Sequence, residues 1–353
     1  MADTTTPPRT RKGTWVAVCL VAIGLVAGVV VVSYERFYEK ELAKTGYFDR
    51  DAAEAEYLKL DERVSSAIEN QVAHRIYDDV HKFVRKYDRF APAYSMMGRV
   101  LLGMERFGEA YDYIDHGLGL DEGDSESHVL AGTICTKLGR AAEAEQHYDR
   151  AVELTPGSID HRLHRAQFCI DQARYDEARD ELMLILQLDS TTHKAYAMLA
   201  DIFVQQNKLT LAMNQISKAI DHTGVLTRAD QVIYLRRKAA ILRRQNKPDE
   251  ALQVLDQFTD AERNDLAVLT EIALCYSQQG SFNLAAVQFE MAGREQPGQW
   301  RFAAEAARWW IKAGEPVKAA LAIERVRSID PQLEVIDELT AAMRQSQSNA
   351  DGP

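Results

Sequence analysis

Small apolar positions recur along most of this chain at a fixed spacing. Ala110, Ala144, Ala178, Ala212, Ala251, Ala285 and Ala319 stand 34 residues apart, except for one step of 39. A Gly or Ala lies twelve residues before each of them, at Gly98, Gly132, Ala166, Ala200, Ala239, Ala273 and Ala307. A 34-residue period is the length of one helix-turn-helix unit. Residues with little or no Cβ bulk let two antiparallel helices pack near the short end of the usual interaxial range. Each period is therefore predicted to be one helical hairpin.

The punctuation follows the same period. The turn between the two helices carries Gly139, Gly280 and Gly314, or Asn207 and Asn246, residues that tolerate a left-handed backbone. Pro156, Pro297 and Pro331 fall between units, where a helix cannot continue. The register gives units 91–124, 125–158, 159–192 and 193–226, then five extra residues at Thr227–Gln231, then 232–265, 266–299 and 300–333. In 57–90, Val64, Ile76, Val80 and Phe83 stand at roughly the positions of a divergent eighth unit, with Ile76 replacing the usual Ala. After Pro331, the helical spacing of Leu333, Val335, Ile336, Leu339 and Met343 predicts a capping helix over 334–346, which a stacked array needs to cover its last apolar face. A disordered polar tail is expected over 347–353.

In 125–158 the residues Ala131-Gly132, Gly139, Ala144, Tyr148, Ala151 and Pro156 all stand at signature positions of the tetratricopeptide repeat (TPR). The chain resembles that family, although no unit has its Trp at the fourth position and four lack the closing Pro. The resemblance implies an all-α solenoid, a right-handed superhelix of helical hairpins, that acts by holding other proteins.

A second apolar pattern lies at the amino terminus. Trp15–Val32 is an uncharged run of 18 residues, about the minimum that spans hydrocarbon, and it predicts a transmembrane helix over 14–33. The alternative is a cleaved signal peptide with Arg9, Arg11 and Lys12 as its basic region. Against it, the run continues into Tyr34-Glu35-Arg36-Phe37-Tyr38 without a small-residue break. Gly24 and Gly28 have the spacing at which two membrane helices touch backbone to backbone, which would give a weak homodimer. Cations before the span are matched by Arg36, Lys40 and Lys44 after it. A short basic tail, here 1–13, usually stays cytoplasmic, so the repeats are expected outside the cytoplasm, the alternative being a cytosolic array. Residues 34–56 read as a helical stalk.

Composition narrows the chemistry. A net charge of −11 argues against bulk attraction to nucleic acid. Cys135, Cys169 and Cys275, each among apolar neighbours on a first helix, read as buried structural thiols. There is no phosphate-cradling Gly-rich loop, HExxH or paired CxxC, so no enzyme activity and no cofactor is indicated. His161 and His164 read as two surface histidines, one helical turn apart, that lack a third metal ligand. Trp310 is expected to pack in the terminal core, with Trp309 covering it.

One local anomaly is basic. Arg236, Arg237, Lys238, Arg243 and Arg244 occur along one first helix without an acid. The resemblance implies that first helices line a concave groove, faced by positions two, five, nine, twelve and thirteen of each unit. Those positions hold Arg236, Arg243 and Arg244, with Arg301, Arg308 and Lys312 in the last unit and Lys194 earlier. Arg suits carboxylates because its planar fork binds both oxygens. The expected partner is a protein or peptide, an acidic segment or a free C-terminal carboxylate. The competing reading pairs these cations with Asp201, Glu271 and Glu305. The chaperone-tail clamp of the family is absent, since position five holds Ser95, Val129, Leu163, Ala197, Arg236, Thr270 and Ala304. A membrane-anchored scaffold for envelope assembly, secretion or complex biogenesis is the leading expectation. An organelle-surface import receptor and an accessory subunit of an enzyme complex are the alternatives.

Overall fold

The structure, a computed structural model, describes residues 49–221 and 226–350. The run Trp15–Val32, with Cys19, Gly24 and Gly28, lies outside the described residues, as does most of the stretch read as a stalk. Among the described residues no helix is long and apolar enough to cross a membrane.

Two compact units divide between Leu154 and Thr155. The first contains α1 (Arg50–Glu69), a 3-10 turn (Ala73–Arg75), α2 (Tyr77–Lys86), α3 (Ala91–Gly103), α4 (Phe107–Leu120), α5 (Ser125–Lys137) and α6 (Ala141–Leu154). Its core holds Val64, Phe83, Met96, Met97, Leu101, Ile114 and Ile134, all essentially inaccessible. The second contains α7 (Ile159–Asp171), α8 (Tyr175–Leu188), α9 (His193–Gln205), α10 (Leu209–Asp221), α11 (Arg228–Arg244), α12 (Pro248–Leu255) and α13 (Asp260–Arg263). It continues with α14 (Leu266–Gln278), α15 (Phe282–Glu295), α16 (Trp300–Lys312), α17 (Pro316–Ile329) and α18 (Val335–Ala350). Every described element is helical, and there is no strand among the described residues.

The period is built into the turns. Glu105, Gly139, Ala173, Asn207, Asn246, Gly280 and Gly314 all have φ between 56° and 79°, and Gln71, 34 residues before Glu105, has the same conformation. In each turn the amide after the left-handed residue donates to a carbonyl of the helix's last turn, as Arg140 N–H does to Cys135 O at 2.8 Å and Arg174 N–H to Cys169 O at 2.8 Å. The left-handed residue itself donates to a second carbonyl, as Gly139 N–H does to Thr136 O at 3.1 Å. This paired capping satisfies carbonyls that a helix end would otherwise leave without donors. Glu105 and Ala173 occupy that conformation without the usual side chain for it.

The small positions do what their spacing implies. Ala110, Ala144, Ala178, Ala212, Ala251, Ala285 and Ala319 are all fully buried. At Gly98 the approach is closest, since an added Cβ would lie 2.4 Å from Ile114 Cδ1, and at Gly132 it would lie 2.9 Å from the Tyr148 ring.

The second unit departs from the period at one place. The extra residues Thr227–Gln231 form the N-cap and first turn of α11, which runs 17 residues where its counterparts run 13. Thr227 and Asp230 close a capping box there. The following second helix, α12, stops after eight residues at Leu255. Three residues on, Phe258 is buried at a position held elsewhere by Gly117, Ala151, Ile185, Ala219, Ala292 and Val326. None of those is as large, and here the phenyl ring is buried in one cluster with Leu255, Val268 and Ile272. The chain then turns, and Thr259 with Glu262 caps the one-turn helix α13. Arg228, in the extra turn of α11, grips Glu262 by donating from Nε and Nη2 to its two carboxylate oxygens, each at 2.8 Å.

At the end of the chain, Ile336 and Leu339 are buried against α16 and α17. Helix α18 continues to Ala350, past the boundary at 346, so 347–350 are helical rather than part of a disordered tail. No helix breaker occurs before Gly352, and Gln and Ala both favour helix.

Candidate partner-binding groove

Helix α11 places its cations by simple geometry. Ile233, Arg236, Ala240, Arg243 and Arg244 recur at three- and four-residue steps and share one face. Ile233 and Arg244 are exposed, and Arg236, Ala240 and Arg243 are half-buried. The opposite side of the helix buries Tyr234, Ala239, Ile241 and Leu242.

The strip divides into paired and open cations. Arg243 Nε donates to Glu271 Oε1 at 2.5 Å across to α14, and Glu271 is buried. Arg237, beside the strip, meets Asp201 of α9 at 3.2 Å. Burial raises the Asp201 carboxyl above its ordinary range, and Arg237 and then Arg236 pull it back. Arg308 bonds Glu305 within α16. Lys312 stands 4.5 Å over the Trp309 ring, and Arg301 lies 5.7 Å from the Trp300 ring, geometries in which the ring face attracts a cation. Arg236, Arg244 and Lys194 make no ion pair with a described residue, nor does Lys238. Of the seven cations singled out in the sequence, Arg243 and Arg308 therefore serve internal ion pairs, while Arg236, Arg244 and Lys194 pair with no described residue.

Other candidates resolve into structural roles. His161 is buried, not on the surface, and its Nδ1 lies 2.5 Å from the Thr155 hydroxyl, while His164 is exposed. No group of three or more metal-ligating side chains occurs among the described residues. Cys135, Cys169 and Cys275 are buried free thiols, with burial pushing Cys135 up to about 11 and Cys275 to about 12. Trp310 is buried and donates Nε1–H to Glu290 at 2.8 Å, whereas Trp309 stacks on Phe282 at 5.7 Å.

Two polar clusters were not anticipated. Glu181 of α8 is buried and held by Arg162 at 2.5 Å and Arg165 at 2.8 Å from α7. His128 and His147 face each other across α5 and α6, with their Nδ1 atoms 3.1 Å apart, and His128 Nε2 lies 3.3 Å from Glu122 O. The pairs Arg162/Glu181 and His128/His147 are each 19 residues apart. Both pairs join positions four and twenty-three of a 34-residue unit, and a search of the units for polar residues at those two positions would have found both.

Tetratricopeptide repeat profiles match residues 136–202 and, in a second form, 95–159 and 236–299. Over 82 residues, 23% of this chain, the sequence is 32% identical to the TPR repeat-containing thioredoxin TTL4 of Arabidopsis thaliana, and the match spans 12% of that protein. The fold is similar to that of a tetratricopeptide repeat protein from Parabacteroides merdae ATCC 43184, with TM-score 0.54 and 15% identity, over 72% of this chain and 98% of the other. It is also similar to yeast Tom70, with TM-score 0.57 and 18% identity, over 81% of this chain and 61% of the other.

Proposed function

We propose that this chain, whose residues 95–159, 136–202 and 236–299 are tetratricopeptide repeats, is a membrane-anchored scaffold that holds an acidic protein segment against α11. Stacked helical hairpins present extended surfaces and work by binding proteins. The observation that carries the finer reading is the pair Arg236 and Arg244, cations that form no ion pair with a described residue, on a helix whose neighbour Arg243 is already committed. Two such guanidinium groups, about two turns apart, can each fork onto a carboxylate. Trp15–Val32 supplies the anchor in this reading, with the repeats on the extracytoplasmic side.

The test is binding of an immobilised Asp/Glu-rich peptide by the full chain and by an Arg236→Glu/Arg244→Glu variant. Arg243 must be left alone, since removing it strands buried Glu271 at a cost of about 3–5 kcal/mol. Exposed ion pairs contribute only ~0.2–1 kcal/mol each, so single changes should weaken binding slightly and the double charge reversal much more. Binding should also fall as salt rises, because exposed charges are screened over ~8–10 Å. Equal retention of both proteins at low salt would remove α11 as the binding face.

A further inference from the structure

The break between α12 and α13 leaves a pocket of about 280 Å³ where the last turns of a second helix would otherwise lie. Its apolar floor is Leu255, Leu269, Ile272, Tyr276 and Met291, contributed by α12, α14 and α15. Leu269, Ile272 and Tyr276 lie on a different face of α14 from the groove positions Ala267, Thr270, Leu274 and Ser277, so the pocket is distinct from the basic strip. Exposed Leu284 stands one turn before Gln288 at the pocket wall and extends the apolar surface outward along α15.

We propose that this pocket receives one bulky apolar side chain, aromatic for preference, from a partner polypeptide that carries Lys or Arg beside it. Size argues for a side chain, since the pocket falls just below the ~300–1,000 Å³ typical of sites that enclose a whole small molecule. Protein interfaces concentrate their binding energy in such aromatic anchors seated in pockets. Charge argues for the flanking cation. Two carboxylates, Asp256 and Asp260, and one cation, Arg263, line the pocket, and of the other four carboxylates between Pro248 and Asp265, Glu250 and Glu262 pair with Lys247 and Arg228. The one cation there, Arg263, is already bonded to Asp256 at 2.8 Å. Exposed Asp260 has no ion partner among the described residues. The ligand chemistry is thus opposite in sign to that of the α11 strip, and the two sites would engage different segments.

Disulfide capture tests this on the purified full chain. Gln288→Cys, made in a Cys19→Ser chain, places a thiol at the pocket wall, while native Cys135, Cys169 and Cys275 are buried, and the Cys19→Ser chain serves as the blank. Three mixed-disulfide probes are compared, bearing an indole with an ammonium group, an indole with a carboxylate, or a methyl with an ammonium group. The readout is the reductant concentration that displaces half the label, measured by intact mass. The indole-ammonium probe should resist about tenfold more reductant than the methyl-ammonium probe, from burial of its ring, and should also outlast the indole-carboxylate probe. Filling the pocket by Met291→Trp, or its mouth by Leu252→Trp should either fold poorly, must abolish the difference. Equal displacement of all three probes would overturn the proposal. So would a preference for the carboxylate probe, or the same ranking at Glu177→Cys on exposed α8. The Arg236→Glu/Arg244→Glu variant should capture the probes as the parent does, which separates failure here from failure of the groove reading.

Discussion

Ala173 sits at φ 59° where the equivalent turn after α5 uses Gly139 at φ 74°. A Cβ in that region costs roughly 1–2 kcal/mol, while the extra freedom of an unfolded glycine returns only about 0.4–1 kcal/mol. Ala173→Gly is therefore expected to stabilise the protein by about 0.5–1 kcal/mol, and Gly139→Ala to destabilise it by a similar amount, from the same two terms. Chemical denaturation of the two variants checks this, and a loss of stability in Ala173→Gly would contradict it. Gly98→Ala addresses close approach, since its methyl would overlap Ile114, which is itself fully buried. A cost of about 1–3 kcal/mol is expected from overpacking. These positions also show why turns are only partly legible. Gly and Asn announce a left-handed residue through their own preference, but Glu105 and Ala173 adopt it because the flanking helices and the two capping hydrogen bonds over-determine it.

Elements carry a pH response in the first unit. His147 on α6 is held below its ordinary value, first by burial and then by His128 on α5, with Glu143 and Asp115 opposing. With His128 Nε2–H donating to Glu122 O, its Nδ1 accepts from His147 Nδ1–H, so a proton added to His147 goes on Nε2, where burial and the neighbouring ring resist it. The folded form thus binds a proton less readily than the unfolded chain, whose histidines titrate near about 6.5. Stability from this contact is complete above that value and is lost as pH falls through the depressed folded one. Thermal unfolding at pH 7.5 and 5.5 should show the first unit losing stability on acidification, with the loss reduced in His147→Gln; an unchanged slope would exclude the pair as its source. The same scale shows what periodicity hides. Small residues every 34 positions locate the hairpins, yet they average over buried Phe258 and over the early end of α12. Thr259-x-x-Glu262 was nevertheless readable as a helix start. Likewise the basic run on α11 was plain in the sequence. Which of its members face an acid depends on contacts 28 residues away, as with Arg243 and Glu271.

For the whole molecule, anchoring predicts that the full chain stays with carbonate-washed membranes while a chain beginning at Tyr47 does not; release of the full chain would end that reading. Protease confined to the outside should reach the repeats if they are extracytoplasmic. The most consequential feature at this scale is the single 39-residue step and the Arg228–Glu262 grip that accompanies it. An array with one unvarying period is self-similar under translation, so a helix or a partner can dock one unit out of frame at little penalty. Confusion between like segments is a characteristic failure of repeat proteins. The step destroys that symmetry once. A helix pairing that slips by one unit across it leaves Arg228 without Glu262, and a ligand spanning it meets a notch in one frame and a continuous helix in the other. The irregular unit thereby gives an otherwise monotonous chain an origin from which its other positions can be told apart.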